Sequence, residues 1–476
     1  MSYHQPSSPV KKGRELDLEI TSAAFEGKGL GRVGDYAIFV KNTAPGDRVR
    51  VRIIRKRKNF AEGLLLEILS PSSERIQPKC RHAEVCGGCT WQHIPYDREL
   101  VYKTSHVTDH FQRIGGFREF QAEPVIGAPE PFYYRNKMEY TFGARRWLSE
   151  NEVQSREIVR DKHFALGLHV PGRYDRILNL EECYLQDPVS FRILDAVRNY
   201  ALKYKIEPYN THHHSGFLRH LVIRNAVHTQ DLMVNLVTRK YDESIIQPLM
   251  SYLIENFPEI TTIVNNINDT RSPTSQGRYQ KILHGPGYIR EYIGKYVFRI
   301  DTDTFFQTNS HQAEALFKVV YQAFDNQPVN TVYDLYSGIG TLALYVSDMA
   351  AKIVAIELST AAMEKAKENA AENGVKHVFF EQGDMKDTFN DAIIAKYGKP
   401  DIIITDPPRA GMHDDVIERI KNMAPGRIIY ISCNSATQAR DVAALADVYN
   451  LKRVQPVDMF PRTYHIESVA VLDRKE

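Results

Sequence analysis

Hydrophobic and polar residues follow three different patterns along the chain, and each pattern predicts a different kind of domain. Over residues 14–72, short apolar runs alternate with turn residues such as Gly27, Gly31 and Gly46. Runs of this length bounded by glycine and proline are typical of short β-strands. This part of the chain therefore predicts a small closed β-barrel, preceded by a loose polar tail over residues 1–13.

The central region, residues 73–300, has a mixed pattern. The stretch from Tyr96 to Ile114 has helical spacing and contains neither glycine nor proline, which predicts a helix near residues 96–116. That helix is a candidate to pack on the C-terminal domain. From residue 130 onward β-like alternation returns, interrupted by helical spacing near residues 190–204 and 245–256. The region predicts a mixed, β-rich domain.

From residue 301 to residue 476, apolar runs alternate with helical segments. The runs are TVYDLYSG, KIVAIE, PDIIITDPP, GRIIYISC and ESVAVLD. Such alternation predicts parallel strands joined by crossover helices, and hence a doubly wound α/β domain of the Rossmann-like kind. In these folds ligands bind outside the carboxyl ends of the strands, so polar residues that follow each apolar run are the first candidates for a site.

Composition agrees with a folded protein of two or three domains, because hydrophobic residues make up 43% and charged residues 25% of 476. No stretch approaches the roughly 18 apolar residues that a membrane helix needs, and residues 1–19 contain no signal-like apolar core. We therefore expect a cytoplasmic protein without a membrane segment. Five cysteines are too few for a disulfide scaffold, so metal binding or catalysis is the better interpretation.

The net charge of +2 hides a basic run of seven lysines and arginines between Arg48 and Lys58. Val49 and Val51 alternate with arginines, so a strand here buries one face and exposes a basic one. An ordinary solvated strand face is one interpretation. The basic residues that continue to Lys58 favour a second one, a surface that binds RNA phosphates.

A candidate cofactor site begins at DLYSGIGTLA, where Gly338 and Gly340 let a ligand approach the backbone between a strand and a helix. Glu357 ends the next strand and can accept hydrogen bonds from the ribose of an adenosine. The glycine spacing also fits a dinucleotide, so this segment alone does not separate NAD from S-adenosylmethionine.

Two later strand ends complete the predicted site. The run Asp406-Pro407-Pro408-Arg409 is an acidic turn of the type that methyltransferases use where cofactor and acceptor base meet, and it favours S-adenosylmethionine. A purely structural proline turn is the alternative. Asp384, after the segment VFFEQG, is a candidate for the adenine edge.

Cys433 directly follows the apolar run in IIYISCNS, which places it at the mouth of the same crevice. Carbon 5 of uracil is a poor nucleophile until carbon 6 has been attacked, and a thiolate can make that attack. The reaction also needs a base for the carbon 5 proton. Glu467 is the candidate base, and His465 is the competing one.

With DLYSGIGTLAL, DPPRAG, ISCNSATQARD and DMFPRTYHIESV in this order, the chain resembles the bacterial RNA (uracil-C5) methyltransferases that act on 23S ribosomal RNA and on the tRNA T-loop. The resemblance implies Cys433 as nucleophile and Glu467 as base. The FFQTN segment resembles a family motif whose glutamine contacts the cofactor. The cofactor residues that the resemblance implies are Gln307, Tyr336, Glu357, Asp384 and Asp406.

The N-terminal segment resembles the TRAM domain, a small OB-like RNA-binding barrel that the ribosomal RNA enzymes carry and the tRNA enzyme typically lacks. This favours 23S ribosomal RNA as the substrate, with tRNA as the alternative. Rival functions are an exocyclic-amino nucleic-acid methyltransferase, which needs no thiol, and a non-enzymatic RNA-binding protein with an iron–sulfur cluster. We expect the enzyme to be a monomer.

The remaining cysteines have the spacing of a ligand set, and four thiolates suit either zinc or an iron–sulfur cluster. The four are Cys80, Cys86, Cys89 and Cys183. The segment CGGCTWQHIPYDREL resembles the family's iron–sulfur segment, which implies a [4Fe-4S] cluster bound by these four residues.

Two further segments combine aromatic and basic residues, as single-stranded RNA sites do. They are residues 133–137, and residues 217–219 followed by Arg224. Core packing at a solvated edge is the alternative, and their resemblance to family motifs favours RNA contact. The run His212-His213-His214 is more typical of an exposed loop than of a metal site.

Overall fold

The computed structural model describes residues 10–155 and 161–476, which form three packed units, each built on its own sheet. Most of the predicted tail lies outside the described residues. Val10, however, is buried in the barrel core, and the backbone amide of Gly13 donates to the carbonyl of Ile53 at 2.8 Å. The packed chain therefore begins before the predicted boundary at residue 14.

The first unit is a closed barrel of five strands in the order β1-β2-β3-β5-β4. The strands are β1 Glu15–Ala23, β2 Gly29–Val33, β3 Tyr36–Val40, β4 Arg48–Lys56 and β5 Phe60–Ser70. Val49 and Val51 are fully buried, whereas Arg48 and Arg52 on the opposite face of β4 are exposed. The predicted barrel and the predicted alternation along β4 are both confirmed.

Helix α1, Tyr96–Arg113, follows the barrel and packs on the C-terminal unit. Its first turn carries Asp97 and Glu99 and its last turn His110 and Arg113, an order that complements the helix dipole. Val107 and Phe111 lie in one core cluster with residues of the C-terminal sheet. The helix expected near residues 96–116 thus packs on the domain that carries the candidate site.

The central unit is a seven-stranded sheet in the order β12-β11-β10-β9-β6-β7-β8, with helices α3 and α4 on it. In chain order the elements are β6 Lys137–Gly143, α2 Glu150–Ser155, β7 Ala165–Val170, β8 Arg173–Asn179, α3 Pro188–Lys203, β9 Leu218–Asn225, β10 Leu232–Thr238, α4 Glu243–Asn256, β11 Thr262–Ile267 and β12 Tyr279–His284. Both helices form within a few residues of where the spacing predicts them. Among the described residues no helix is long and apolar enough to cross a bilayer.

The C-terminal unit contains a hairpin and a second seven-stranded sheet, ordered β17-β16-β15-β18-β19-β21-β20. Its elements are β13 Ile289–Ile293, β14 Tyr296–Ile300, α5 Ser310–Gln322, β15 Val329–Leu335, α6 Thr341–Tyr345, β16 Ala350–Glu357, α7 Thr360–Glu372, β17 Val378–Gln382, α8 Met385–Thr388, α9 Asp391–Tyr397, β18 Ile402–Thr405, α10 Asp414–Met423, β19 Arg427–Ser432, α11 Ser435–Leu445, β20 Tyr449–Val457 and β21 Glu467–Arg474. The hairpin β13–β14 packs into the core of this sheet, so the unit begins near residue 289 rather than 301.

One expectation about this sheet is wrong. The alternation of runs and helices predicts parallel strands throughout, but β21 is antiparallel to both β19 and β20. The reason is that residues 458–466 join β20 to β21 without a crossover helix, and a short connection of this kind reverses the chain. The start of β21, which is Glu467, therefore lies at the carboxyl edge of the parallel strands.

Candidate active site

The glycine-rich turn after β15 opens the carboxyl edge of the sheet to a ligand. Tyr336, Gly338 and Gly340 all have left-handed backbone conformations, with φ of 66°, 58° and 78°. A Cβ atom at Gly340 would lie 3.3 Å from Ala366 and from Phe380, whereas one at Gly338 would meet nothing within 4 Å. Gly340 therefore allows close packing of the turn, and Gly338 faces open space where a ligand can approach.

Glu357 is held at the rim of this turn by two backbone amides. Its Oε2 accepts from Gly338 N at 2.9 Å, and its Oε1 accepts from Ser359 N at 2.9 Å. Each carboxylate oxygen has two lone pairs, so both retain capacity for a hydroxyl donor. Asp384, at the end of β17, is exposed and accepts from Lys386 N at 3.0 Å as the N-cap of α8.

Gln307 lies on the loop between β14 and α5, and its neighbours tie that loop to two other elements. The side chain of Asn136 donates to the carbonyl of Gln307 at 2.8 Å. The side chain of Asn309 caps α5 and also donates to the carbonyl of Met459 at 3.2 Å. The loop is thereby fixed against the segment that leads to Glu467.

Asp334, the last-but-one residue of β15, is a buried acid that sequence reasoning did not single out. The hydroxyl of Ser337 donates to its Oδ2 at 2.6 Å, and burial raises the pKa of Asp334 to about 7. Burial, and then the charge of Asp334, also raises the pKa of Asp406 to about 7. The position of Asp334 directly before the glycine turn was the sequence signal that could have identified this acid.

Cys433 is half-buried just beyond β19, in a site shared with Glu467, Asp406 and Arg409. Burial is the largest cause that raises the pKa of its thiol, and the negative charge of Glu467 adds to it. Arg409 opposes the shift through its charge and a hydrogen bond. The carbonyl of Arg409 also accepts from Asn434 Nδ2 at 3.1 Å, so the acidic proline turn and the cysteine loop hold each other in place.

The surroundings shift the pKa values of the two candidate bases in opposite directions. Glu467 is buried, and burial followed by the charge of Asp406 raises its pKa well above the ordinary value. Burial lowers the pKa of His465 to about 4, and nearby cations, beginning with Arg409, add to the effect. The surroundings therefore strengthen Glu467 as a base and weaken His465.

Comparison with known proteins agrees with this geometry. The sequence model of the family described as tRNA (Uracil-5-)-methyltransferase matches residues 273–475, and that of the TRAM domain matches residues 9–66. An uncharacterized RNA methyltransferase of Bacteroides thetaiotaomicron is 40% identical over 453 residues, covering 94% of this chain and 99% of the relative. One of Chlorobaculum tepidum is 38% identical, covering 98% of each.

The chain belongs to the tRNA (uracil-5-)-methyltransferase family. The chain is therefore an S-adenosylmethionine-dependent RNA methyltransferase. Among solved structures, the tRNA (uracil-54, C5)-methyltransferase of Pyrococcus abyssi in complex with S-adenosyl-L-homocysteine matches with a TM-score of 0.75 and 27% identity. The match covers 96% of this methyltransferase and 100% of that chain. It therefore includes most of the barrel, so the barrel by itself does not separate ribosomal RNA enzymes from tRNA enzymes.

The four remaining cysteines of the methyltransferase face one another between the barrel and the central sheet. Burial is the main cause that raises the pKa of each thiol, to about 11 for Cys80 and about 12 for Cys86, and the other thiols contribute. Burial also raises the pKa of Cys89, to which the other thiols contribute, and that of Cys183. Among the described residues, no three of these sulfurs lie within 4.8 Å of one another.

The two aromatic and basic segments of the central domain are mostly structural, which corrects their interpretation as RNA contacts. Tyr134 is buried and donates to the carbonyl of Pro461 at 3.0 Å. Arg219 is buried and donates to the carbonyl of Asn268 at 2.7 Å. Arg224 is buried and donates to the carbonyl of Thr304 at 2.6 Å. Arginines that satisfy buried carbonyls are not available to phosphates. Tyr133 remains exposed.

The barrel divides its basic run into two parts. On β4, Arg50 pairs with Asp17 at 3.0 Å and with Glu67 at 3.2 Å, and Arg52 pairs with Glu15 at 2.7 Å. These arginines are partly neutralised by their own sheet. Lys56, the last residue of β4, and Arg57 and Lys58 in the turn that follows are exposed. The turn, rather than the strand face, is the better candidate for RNA phosphates.

Proposed function

We propose that this methyltransferase transfers the methyl group of S-adenosylmethionine to carbon 5 of a uridine in RNA, acting as a monomer through a covalent adduct on Cys433. The observation that carries the proposal is the meeting of a half-buried thiol, a buried carboxyl group and an arginine at one sheet edge. Direct methylation of an exocyclic amine would leave Cys433 without a role in this site.

The residues at the sheet edge fit the cofactor that the family uses. Gly338 leaves open space beside the turn, and Glu357 offers two carboxylate oxygens to the ribose hydroxyls. We assign cofactor binding to Gln307, Tyr336, Gly338, Gly340, Glu357, Asp384 and Asp406. When bound, S-adenosylmethionine supplies an electrophilic methyl group on a sulfonium. A cation at this edge favours the ionised form of Asp406, whose pKa burial otherwise raises.

The proposed chemistry begins with the thiolate of Cys433, which adds its electron pair to carbon 6 of the uracil. The ring then carries an enolate, and its carbon 5 would bond to the methyl group as the methyl–sulfur bond of S-adenosylmethionine breaks, with S-adenosylhomocysteine as the leaving group. Glu467 removes the carbon 5 proton, and the electron pair of that C–H bond restores the ring double bond as the sulfur–carbon 6 bond breaks. The thiolate is regenerated, so the sulfur is not consumed.

The geometry supports this division of roles. Arg409 favours the thiolate of Cys433, which burial and Glu467 disfavour. The raised pKa of Glu467 means that its carboxylate binds a proton strongly. A general base is most effective when its pKa lies near the operating pH. The target uridine has to leave its stack to reach Cys433, and we expect its base between Asp406 and Arg409.

For the substrate, we propose 23S ribosomal RNA first and tRNA second. The TRAM domain supports a structured RNA partner. The tRNA enzyme of Pyrococcus abyssi supports the second candidate, because its similarity covers nearly the whole chain. Mass mapping of 5-methyluridine in both RNAs from a deletion strain decides between them, since the modification disappears from one RNA and persists in the other.

We propose that Cys80, Cys86, Cys89 and Cys183 hold a [4Fe-4S] cluster, with zinc as the alternative. Burial of the thiols, and the influence of their charges on one another, support a shared bound group. Such a group would supply a structural tie between the 80–89 loop and Cys183 beside the central sheet, and it could shape the RNA surface. The proposed methyl transfer requires no electron from this group.

The experiment that tests the proposed function is Cys433→Ser. We expect methyl transfer to RNA to fall to background and the covalent adduct with 5-fluorouridine RNA to disappear, because a hydroxyl is a far weaker nucleophile toward carbon 6. Calorimetry should show unchanged S-adenosylmethionine binding, which confirms folding. Retained methyl transfer would contradict the proposal and favour direct transfer to an exocyclic amine.

Glu467→Gln separates the base from the nucleophile. We expect turnover to fall about 10²–10⁴-fold, because an amide cannot take the carbon 5 proton. The methylated adduct on Cys433 should accumulate and appear as a protein–RNA band on a denaturing gel. His465→Asn is the control and should keep turnover. If instead His465→Asn accumulates the adduct, the base has been assigned to the wrong residue.

A further inference from the structure

A second cluster of metal-binding side chains lies away from Cys433, where the central unit meets the C-terminal unit. His228 is on the turn between β9 and β10, and His311 and Glu314 are on the first turns of α5. One ligand atom of each of these three residues lies within 4.8 Å of the other two. The spacing of His311 and Glu314, three residues apart on a helix, places both on one face.

The hydrogen bonds of His228 leave one ring nitrogen aimed at this cluster. Its Nδ1 lies 2.9 Å from Oε1 of Glu291, and a carboxylate oxygen can only accept there, so Nδ1 carries the proton. Its Nε2 lies 3.6 Å from Oε1 of Glu314. In the neutral ring, Nε2 therefore presents a lone pair to a carboxylate. A cation placed between these two acceptors would be bound by both.

Glu291 is built as a rigid support for that ring. It is fully buried, and its oxygens also accept from Val227 N at 2.6 Å, Ser310 Oγ at 2.7 Å and Tyr292 N at 3.0 Å. A histidine whose second ring nitrogen donates to a fixed carboxylate is the arrangement that supports metal ligands in proteins, because it sets the tautomer and the direction of the lone pair.

We propose that His228, His311 and Glu314 bind a divalent transition-metal ion of the zinc type, with Glu291 as the positioning residue for His228. Two imidazoles and one carboxylate suit zinc, and the exposure of both histidines leaves a fourth position for water. Ligand atoms on a tetrahedral zinc ion lie about 3.3 Å apart. Here His228 Nε2 and Glu314 Oε1 are 3.6 Å apart and all three ligand atoms lie within 4.8 Å of one another, so side-chain rotation can close the difference.

The ion would join two units of the chain. His228 belongs to the central sheet, whereas His311 and Glu314 belong to a helix of the methyltransferase domain. Ser310 also accepts from Asn136 Nδ2 at 3.0 Å, and Asn136 bonds to the carbonyl of Gln307. Metal binding would therefore stabilise the junction beside the loop of Gln307, without taking part in methyl transfer.

Zinc content tests this assignment. The cluster-loaded protein and its variants are equilibrated with zinc, passed over a desalting column and measured by mass spectrometry for zinc and iron. We expect His311→Ala and Glu314→Gln to hold one zinc fewer per chain than the parent at equal iron. His213→Ala, an exposed histidine elsewhere, is the matched control and should equal the parent.

Thermal unfolding provides a second reading. Zinc should raise the melting temperature of the parent and of His213→Ala, because an ion that binds only the folded protein stabilises it, and the rise should be absent in His311→Ala. Equal zinc content in all four proteins would overturn the proposal. Methyl-transfer activity plays no part in either result.

Discussion

At the scale of single residues, the site is defined by carboxyl groups whose pKa values the fold raises. Asp334, Asp406 and Glu467 meet at one sheet edge, and burial is the main cause that raises each pKa. Acids with such values are common at functional sites, because proton transfer near neutral pH needs groups that can both hold and release a proton. The same burial has a measurable effect on stability.

Asp406→Asn tests that effect. Because the pKa of Asp406 is raised to about 7 in the folded protein, the folded state binds more protons than the unfolded state between about pH 4 and pH 7. Stability therefore falls as pH rises through this window. At pH 8 we expect the free energy of unfolding of the variant to exceed that of the parent by about 1–2 kcal/mol, a figure that already allows for the partial exposure of Asp406. At pH 4 we expect the two proteins to be equally stable.

Urea unfolding at both pH values measures this difference. Asp387→Asn, at an exposed aspartate in the same domain, is the control and should behave like the parent at both pH values. A variant that is destabilised at pH 8 would show that the ionised form of Asp406 is favoured by a partner in the protein, contrary to the cause assigned here.

At the scale of elements, helix α1 connects the barrel to the segment that carries the base. Lys103 on α1 is fully buried and donates to Glu99 and to Asp458, each at 2.7 Å. Glu99 also accepts from the backbone amide of Arg462 at 2.8 Å. The buried network thus fixes residues 458–462, and these lead directly into β21 and Glu467.

Lys103→Met should be strongly destabilising, since it leaves two buried carboxylates without their cation. We expect a loss of about 3–5 kcal/mol in the free energy of unfolding. Burial raises the pKa of Glu99 to about 7 and Lys103 opposes the rise, so the loss should be larger at pH 8 than at pH 5. Arg113→Met, on the same helix and exposed, is the control and should change stability little. An equal loss at both pH values would argue against the charge of Lys103 as the cause.

At the scale of the whole molecule, RNA binding is expected to use the barrel turn after β4 together with the methyltransferase crevice. Replacing Lys56, Arg57 and Lys58 with alanine should weaken RNA binding and lower the slope of log affinity against log salt by about 2, if each contacts one phosphate. Turnover at saturating RNA should not change. Filter binding between low and moderate salt measures the slope.

The control replaces Arg50 and Arg52, which already pair with acidic residues of the barrel. We expect a smaller change in the salt slope there, because these arginines release fewer counterions when RNA binds. If replacing the paired arginines changes the salt slope more than replacing the turn residues, the strand face of β4 is the surface that binds RNA.

The sequence by itself determined the domain order, the barrel and the residues at each strand end. This worked where the information is local: strand ends, glycine turns and cysteine spacing are written in adjacent residues. It failed for residues 133–137 and for Arg219 and Arg224, because aromatic and basic residues look alike whether they face RNA or satisfy buried carbonyls.

Tertiary structure alone decided three matters. It reversed β21, which brings Glu467 to the edge where Cys433 lies. It placed Asp334 where its charge acts on Asp406, and it gathered His228 with His311 and Glu314 across more than eighty residues of sequence. The physical reason is common to all three: strand direction, burial and the meeting of side chains from distant segments depend on packing, which no local pattern records.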